Sequence, residues 1–151
     1  MTTKPLSTNI VTQVAFLVND IEKTSAAYAA FLGVPKPPTK MTGQIEESQA
    51  EYRGSPTAAR AKLAFFDVGE NLRIELIEPD KNPSTWRECL DKNGEGFHHV
   101  AFVIKDMKGK IAALGKNGIP LLQKGEYKGG RYAYVDASDE LKTIIELLEN
   151  D

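Results

Sequence analysis

The chain states one phrase twice. Val14-Ala15-Phe16-Leu17-Val18-Asn19-Asp20 returns as Val100-Ala101-Phe102-Val103-Ile104-Lys105-Asp106, an offset of 86 residues from Val14 to Val100. The correspondence continues along both halves. Leu32-Gly33-Val34-Pro35 is matched by Asn117-Gly118-Ile119-Pro120, Ala64-Phe65-Phe66-Asp67 by Ala133-Tyr134-Val135-Asp136, and Ile74-Glu75-Leu76 by Ile145-Glu146-Leu147. An internal repeat on this scale predicts two copies of one structural unit that complete each other's core. It also pairs polar positions across the copies, Gln13 with His99 and Glu75 with Glu146.

Each half reads as strand, helix, then further strands. Residues 10–18 are almost continuously apolar and partly β-branched, which predicts a buried strand. Asp20 offers an N-cap to a helix carrying Ile21, Tyr28, Phe31 and Leu32, and Gly33 with Pro35 stops it. Residues 35–60 are polar and rich in Pro and Gly, and read as a long loop with one short strand near 49–53. A hairpin over 63–68 and 72–78 turns at Gly69-Glu70-Asn71, and Pro79 closes it. Ser84 or Thr85 caps a short helix to Asn93, with Glu88 three residues after Thr85 as in a capping box. The second copy runs from a strand at 97–104 through an Asp106-capped helix to strands near 121–124, 131–136 and 143–149. The organisation is one domain over 1–151. Its first module spans about 9–79, a linker with a short helix about 80–96, and a second module about 97–150.

Bulk properties remove several classes of function. A formal net charge of −2 over 151 residues gives no attraction to nucleic acid or to an anionic membrane. No apolar run approaches the ~18 residues of a membrane span, and Met1 to Thr8 lacks the apolar core of a signal peptide. Cys89 is the single cysteine, so no intrachain disulfide forms, and a cytoplasmic location is expected. Its surroundings read as apolar filler rather than as a nucleophile's.

Strand alternation sorts the remaining polar residues. Val14, Phe16 and Val18 share a face suited to lie under a helix, opposite Gln13, Ala15 and Leu17. The same parity puts Glu75, His99 and Glu146 on that second face and points His98 away from it. One imidazole, two carboxylates and one amide oxygen suit a borderline divalent cation, and the two carboxylates balance its charge. Buried carboxylates beside apolar neighbours require such a partner.

The stretches "VAFLVNDIEKTSAAYAAFLGVP", "LRIELIEP", "GEGFHHVAFVIKDM" and "TIIELLEN" resemble the vicinal oxygen chelate superfamily, the glyoxalase/bleomycin-resistance/dioxygenase fold. That resemblance covers nearly the whole chain. It implies an α+β fold in which two tandem βαβββ modules form a cupped mixed sheet with helices outside. It further implies one divalent metal ion, zinc, cobalt or nickel rather than iron, held by Gln13, Glu75, His99 and Glu146. The nearest likeness is to methylmalonyl-CoA epimerases, carried by "PDKNPSTWRECLDKNGEGFHH". The implied activity is then removal of a proton next to a carbonyl, through an enolate stabilised by the metal. Glu146 is the first base, and the second is Glu75 or a carboxylate such as Glu47 or Glu51. A lactoylglutathione lyase (glyoxalase I) is the alternative, because its eukaryotic branch also uses Gln, Glu, His and Glu. A non-catalytic small-molecule or drug-binding protein of the same fold is a third reading. The corresponding partners are an acyl-CoA or a glutathione hemithioacetal, with no nucleic acid and no membrane; homodimerisation is common in the superfamily. Trp86 and Arg131 are the candidate substrate contacts, and Tyr52, Arg53, Arg60 and the Tyr127–Arg131 turn offer further polar groups near the cup.

Overall fold

Strand β1 (Gln13–Leu17) alternates buried and half-buried residues, as a strand covered on both faces must. A computed structural model describes residues 5–151. Asp20 caps α1 (Ile21–Leu32) by accepting from the Lys23 amide at 3.1 Å, and Gly33 ends it in the left-handed region at φ 69°. Two short strands, β2 (Lys40–Met41) and β3 (Glu51–Tyr52), bracket a single turn of helix, α2 (Ile45–Ser48). After β4 (Ser55–Pro56), β5 (Ala61–Asp67) and β6 (Arg73–Pro79) make the hairpin that Gly69 signals.

Ser84, not Thr85, caps α3 (Thr85–Asn93), accepting from the Arg87 amide at 2.9 Å, so Glu88 is not the far side of a capping box. Thr85 is occupied elsewhere, with its hydroxyl on His98. The second copy supplies β7 (Gly96–Val103), α4 (Met107–Lys116), β8 (Leu121–Tyr127), β9 (Gly130–Ala137), the one-turn α5 (Ser138–Leu141) and β10 (Thr143–Asn150).

All ten strands join one sheet in the order β2-β5-β6-β1-β7-β10-β9-β8-β3-β4. The two copies meet at its centre, where β1 and β7 pair antiparallel. Each of these strands also pairs in parallel with the IEL strand of its own copy, β1 with β6 and β7 with β10. The expected cupped α+β sheet is therefore present. Under α1, Val18, Ile21, Ala64, Phe66 and Leu76 form one core. Under α4, Ile104, Met107, Val135, Ile145 and Leu147 form its counterpart. The third cluster lies on the inner face, where Trp86 and Leu90 of α3 meet Ala15, Leu17 and Ile77. Helix α3 is thus the exception to an arrangement with helices outside.

The 35–60 segment is more than a loop. It leaves the first copy beside β5, and β3 then pairs with β8 at the far edge of the sheet. The Arg53 amide donates to Leu122 O at 2.8 Å, so residues of copy one form the edge of copy two. The first copy thereby bridges the open side of the cup.

A β-bulge sits at the central seam. Ala15 faces His99 and Phe16 faces Phe97, which leaves His98 as an extra residue on β7. The extra residue breaks the period of two, and both histidines turn to the inner side. Strict alternation pointed His98 outward, and the bulge overturns that expectation.

Leu76 and Leu147 occupy equivalent places in the two outer cores, and both are fully buried. Leu76→Ala and Leu147→Ala should each cost about 2–5 kcal/mol in a urea titration. Comparable losses from both variants are the expected outcome, since each removes the same side chain from the same kind of layer.

Candidate metal centre

Sheet register places the four predicted ligands in two antiparallel rows. One row runs Phe65–Glu75–Ala15–His99 across β5, β6, β1 and β7. The other runs Tyr134–Glu146–Ala101–Gln13 across β9, β10, β7 and β1. The offset of 86 residues carries Ala15 onto Ala101 and Gln13 onto His99, so the rows are related by the pseudo-twofold of the repeat. Ala15 and Ala101 are fully buried between the larger side chains. Their single methyl groups leave the space between the rows open.

Ligand atoms of Glu75, His99 and Glu146 all lie within 4.8 Å of one another. His99 Nε2 is 3.6 Å from Glu75 Oε1 and 3.1 Å from Glu146 Oε1. Neither approach has the angle of a hydrogen bond. Among buried side-chain atoms of the described residues, four lack any hydrogen-bond partner: Gln13 Oε1, Glu75 Oε1, His99 Nε2 and Glu146 Oε1. These are one atom from each predicted ligand. Converging buried lone pairs without donors are costly unless a cation satisfies them. The donor set fits a divalent ion, with two oxygens from carboxylates, one amide oxygen and one imidazole nitrogen.

Burial shapes the charges of the cluster. It raises the Glu146 carboxyl to about 8, with a hydrogen bond from Tyr134 pulling the other way. Burial, followed by the neighbouring Glu146 charge, pushes Glu75 well above the usual carboxylate range, against the pull of Arg73. Burial lowers His99 to about 3, which leaves its imidazole neutral and ready to ligate. His98 is also held well below the usual range, first by burial and then by His99.

A second layer holds these groups in place. His98 Nδ1 lies 2.8 Å from His99 Nδ1, and His98 Nε2 lies 2.6 Å from Thr85 Oγ1. Trp86 Nε1 donates to the Tyr134 hydroxyl at 3.0 Å. Burial, with help from Glu146 and Glu75, raises the Tyr134 phenol well above its ordinary value. Tyr132, Tyr134, Thr85 and Gln123 were not singled out by the sequence. Alternation along β9 carries the signal for the two tyrosines, because both oppose the outward Ala133 and Val135.

The cluster opens into a cavity of about 910 Å³. Trp86 lines it and is itself buried at 3% exposure, so it forms wall and core together. Glu47 also lines it, whereas Glu51 does not. Arg131 is not brought to the cavity. Glu149 and Asp151 accept hydrogen bonds from it, Glu126 lies within ion-pair distance, and these carboxylates hold it on the outside of the turn. Arg53 pairs with Glu88 at 2.9 Å, and Arg60 Nε donates to Thr42 O at 2.8 Å, so both brace the bridging segment. Tyr127 and Lys128 remain at the rim. Cys89 is half-buried against the inner core as a packing residue.

A family profile for the glyoxalase/bleomycin resistance protein/dioxygenase superfamily matches residues 12–135. The chain belongs to that superfamily. The curated relative "Uncharacterized protein YqjC" of Bacillus subtilis is 28% identical over 93 residues, covering 60% of this chain and 66% of the relative. Among solved structures, methylmalonyl-CoA epimerase from Mycobacterium tuberculosis superposes with a TM-score of 0.66 at 20% identity, covering 100% of this chain and 93% of the other. A Streptomyces coelicolor methylmalonyl-CoA epimerase variant, in complex with 2-nitronate-propionyl-CoA, gives a TM-score of 0.62 at 20% identity, covering 94% and 97%. At such identities the superpositions establish the superfamily fold. No helix among the described residues is long and apolar enough to cross a membrane.

The metal-free protein should carry the cost of this cluster in its pH dependence. The raised Glu146 carboxyl stabilises the fold while protonated, fully so below its ordinary value of 4.5, and this contribution is lost as pH rises through about 8. Lowered His99 acts oppositely, contributing above its ordinary value of 6.5 and losing that contribution as pH falls towards 3. Between about pH 6.5 and 8 the carboxyl effect acts alone within this cluster. The melting temperature of the metal-free protein should therefore fall across that window, and Glu146→Gln should flatten the slope. A thermal-unfolding series against pH, with chelator present, checks both.

Proposed function

We propose that this protein is a divalent-metal-dependent isomerase that moves a proton next to the carbonyl of an acyl thioester, in the manner of methylmalonyl-CoA epimerase. The observation that carries this reading is the set of four unpartnered buried donor atoms beside a cavity of about 910 Å³. Superfamily membership and the epimerase-like fold support it. Zinc, cobalt or nickel suits the mixed nitrogen and oxygen set. When bound, such an ion supplies Lewis acidity to a substrate carbonyl oxygen.

The chain's own residues account for the proton. The repeat makes Glu75 and Glu146 equivalent, but their row neighbours differ. Phe65 stands beside Glu75, and Tyr134 stands beside Glu146. The Tyr134 hydroxyl accepts from Trp86 at 3.0 Å, which leaves its own proton free for a neighbouring acceptor. One carboxylate therefore has a phenol as its cross-strand neighbour and its twin does not. Glu146 is accordingly the base that takes the proton from carbon, while the bonding pair moves to the carbonyl oxygen. Glu47, which lines the cavity from the bridging segment, is the candidate to return a proton to the opposite face of that carbon. Trp86, Tyr132 and Tyr134 pack together as the apolar inner wall beside the cluster.

Cobalt-loaded protein in heavy water should wash deuterium into methylmalonyl-CoA, as read by mass spectrometry. Glu146→Gln should lose exchange by about 10²–10⁴-fold. Glu47→Gln should retain exchange from one enantiomer while losing interconversion of the two. Exchange into a glutathione hemithioacetal but not into the acyl-CoA would replace this substrate assignment with the glyoxalase one.

A further inference from the structure

The two histidines at the bulge share a single proton position, and its placement decides whether the cluster can accept a cation. His98 Nδ1 and His99 Nδ1 are 2.8 Å apart, so one of them carries the hydrogen and the other accepts it. Only two arrangements run consistently through the buried chain from His99 to Thr85. In one, Thr85 donates to His98 Nε2, His98 Nδ1 donates to His99 Nδ1, and His99 Nε2 is left protonated. That Nε2–H would then be fully buried with no acceptor at hydrogen-bond geometry. It would also block the cluster. In the other, His99 Nδ1 donates to His98 Nδ1, His98 Nε2 donates to Thr85 Oγ1, and His99 Nε2 presents a bare lone pair between Glu75 and Glu146.

We infer that His98, anchored by Thr85, is a positioning residue that holds His99 as its Nδ1–H tautomer and aims the bare Nε2 at the metal. The anchor is well fixed. The Thr85 amide donates to Gln123 Oε1 at 2.8 Å, and Gln123 Nε2 donates to the Tyr132 hydroxyl at 3.0 Å. Thr85, His98, His99 and Gln123 are all buried. The bulge has its purpose here, since without the extra residue His98 would face the outer core and His99 Nδ1 would have no partner. Partners of this kind fix ring orientation and tautomer in metal sites generally. The first copy has no counterpart, because Gln13 needs no tautomer and Thr12 bonds to the Ala101 carbonyl.

The inference rests on reading His99 as a ligand, and its test separates the two claims. Long-range proton–nitrogen correlation spectra of metal-free, ¹⁵N-histidine-labelled protein at pH 7.5 report the tautomer directly. The expected spectrum shows His99 protonated at Nδ1 and His98 at Nε2; protonation of His99 at Nε2 overturns the proposal. Zinc affinity, measured by chelator competition, should then fall about 10–100-fold in His98→Leu. His98→Asn, whose amide oxygen can still accept from His99, should recover most of that loss. Folded His98→Leu with wild-type affinity overturns the positioning role. Should His98→Leu fail to fold, the wild-type spectrum and the affinity of His98→Asn decide the matter. Wild-type protein with the expected tautomer but no zinc binding would instead refute the metal reading.

Discussion

Strands β1 and β7 run antiparallel at the middle of the sheet, and the site exists only because these two copies of one sequence meet there. Antiparallel pairing of equivalent strands creates a local pseudo-twofold. That symmetry brings Ala15 and Ala101 to the seam and sets Glu75 with His99 on one row and Glu146 with Gln13 on the other. Neither copy alone holds the site. Each supplies one carboxylate on its IEL strand and one further buried polar side chain on its central strand, and the rows are completed across the seam.

The sheet protects this cluster by division of labour between its faces. Outside, α1 and α4 cover two similar apolar layers that provide most of the burial. Inside, α3 closes one end, and the bridging segment of copy one pairs with β8 at the other edge. The interior can therefore hold groups that would be intolerable in an ordinary core. Buried carboxyls driven upward and an imidazole driven downward mark a polar cluster whose surroundings penalise charge.

Asymmetry within the symmetric frame carries the chemistry. Tyr134 stands where the first copy has Phe65, so one glutamate gains a phenol and the other does not. His99 stands where the first copy has Gln13, and an imidazole has two tautomers where an amide has none. The bulge places His98 beside His99 Nδ1 at the cost of one break in the ladder. Arg131 shows the converse, since proximity in sequence to the rim did not place it in the cavity once Glu149 and Asp151 engaged it.

Periodicity by itself determined a good deal. The repeat announced two equivalent units, the alternation of β1, β6 and β10 put Gln13, Glu75 and Glu146 on one face, and Asp20, Gly33 and Asp106 marked the helix ends where they occur. These features are local, because capping and face parity depend on residues within a few positions of one another. Tertiary structure decided the rest. It assigned the Ser84 cap because Thr85 was already held by His98, and it sent residues 42–57 across the cup to β8. It reversed the direction of His98 because a bulge shifts parity by one, and a bulge arises from how two distant strands settle against each other. Sequence spacing cannot encode that choice in the strand alone, since it is made only when β7 pairs with β1 and the buried imidazoles must find partners.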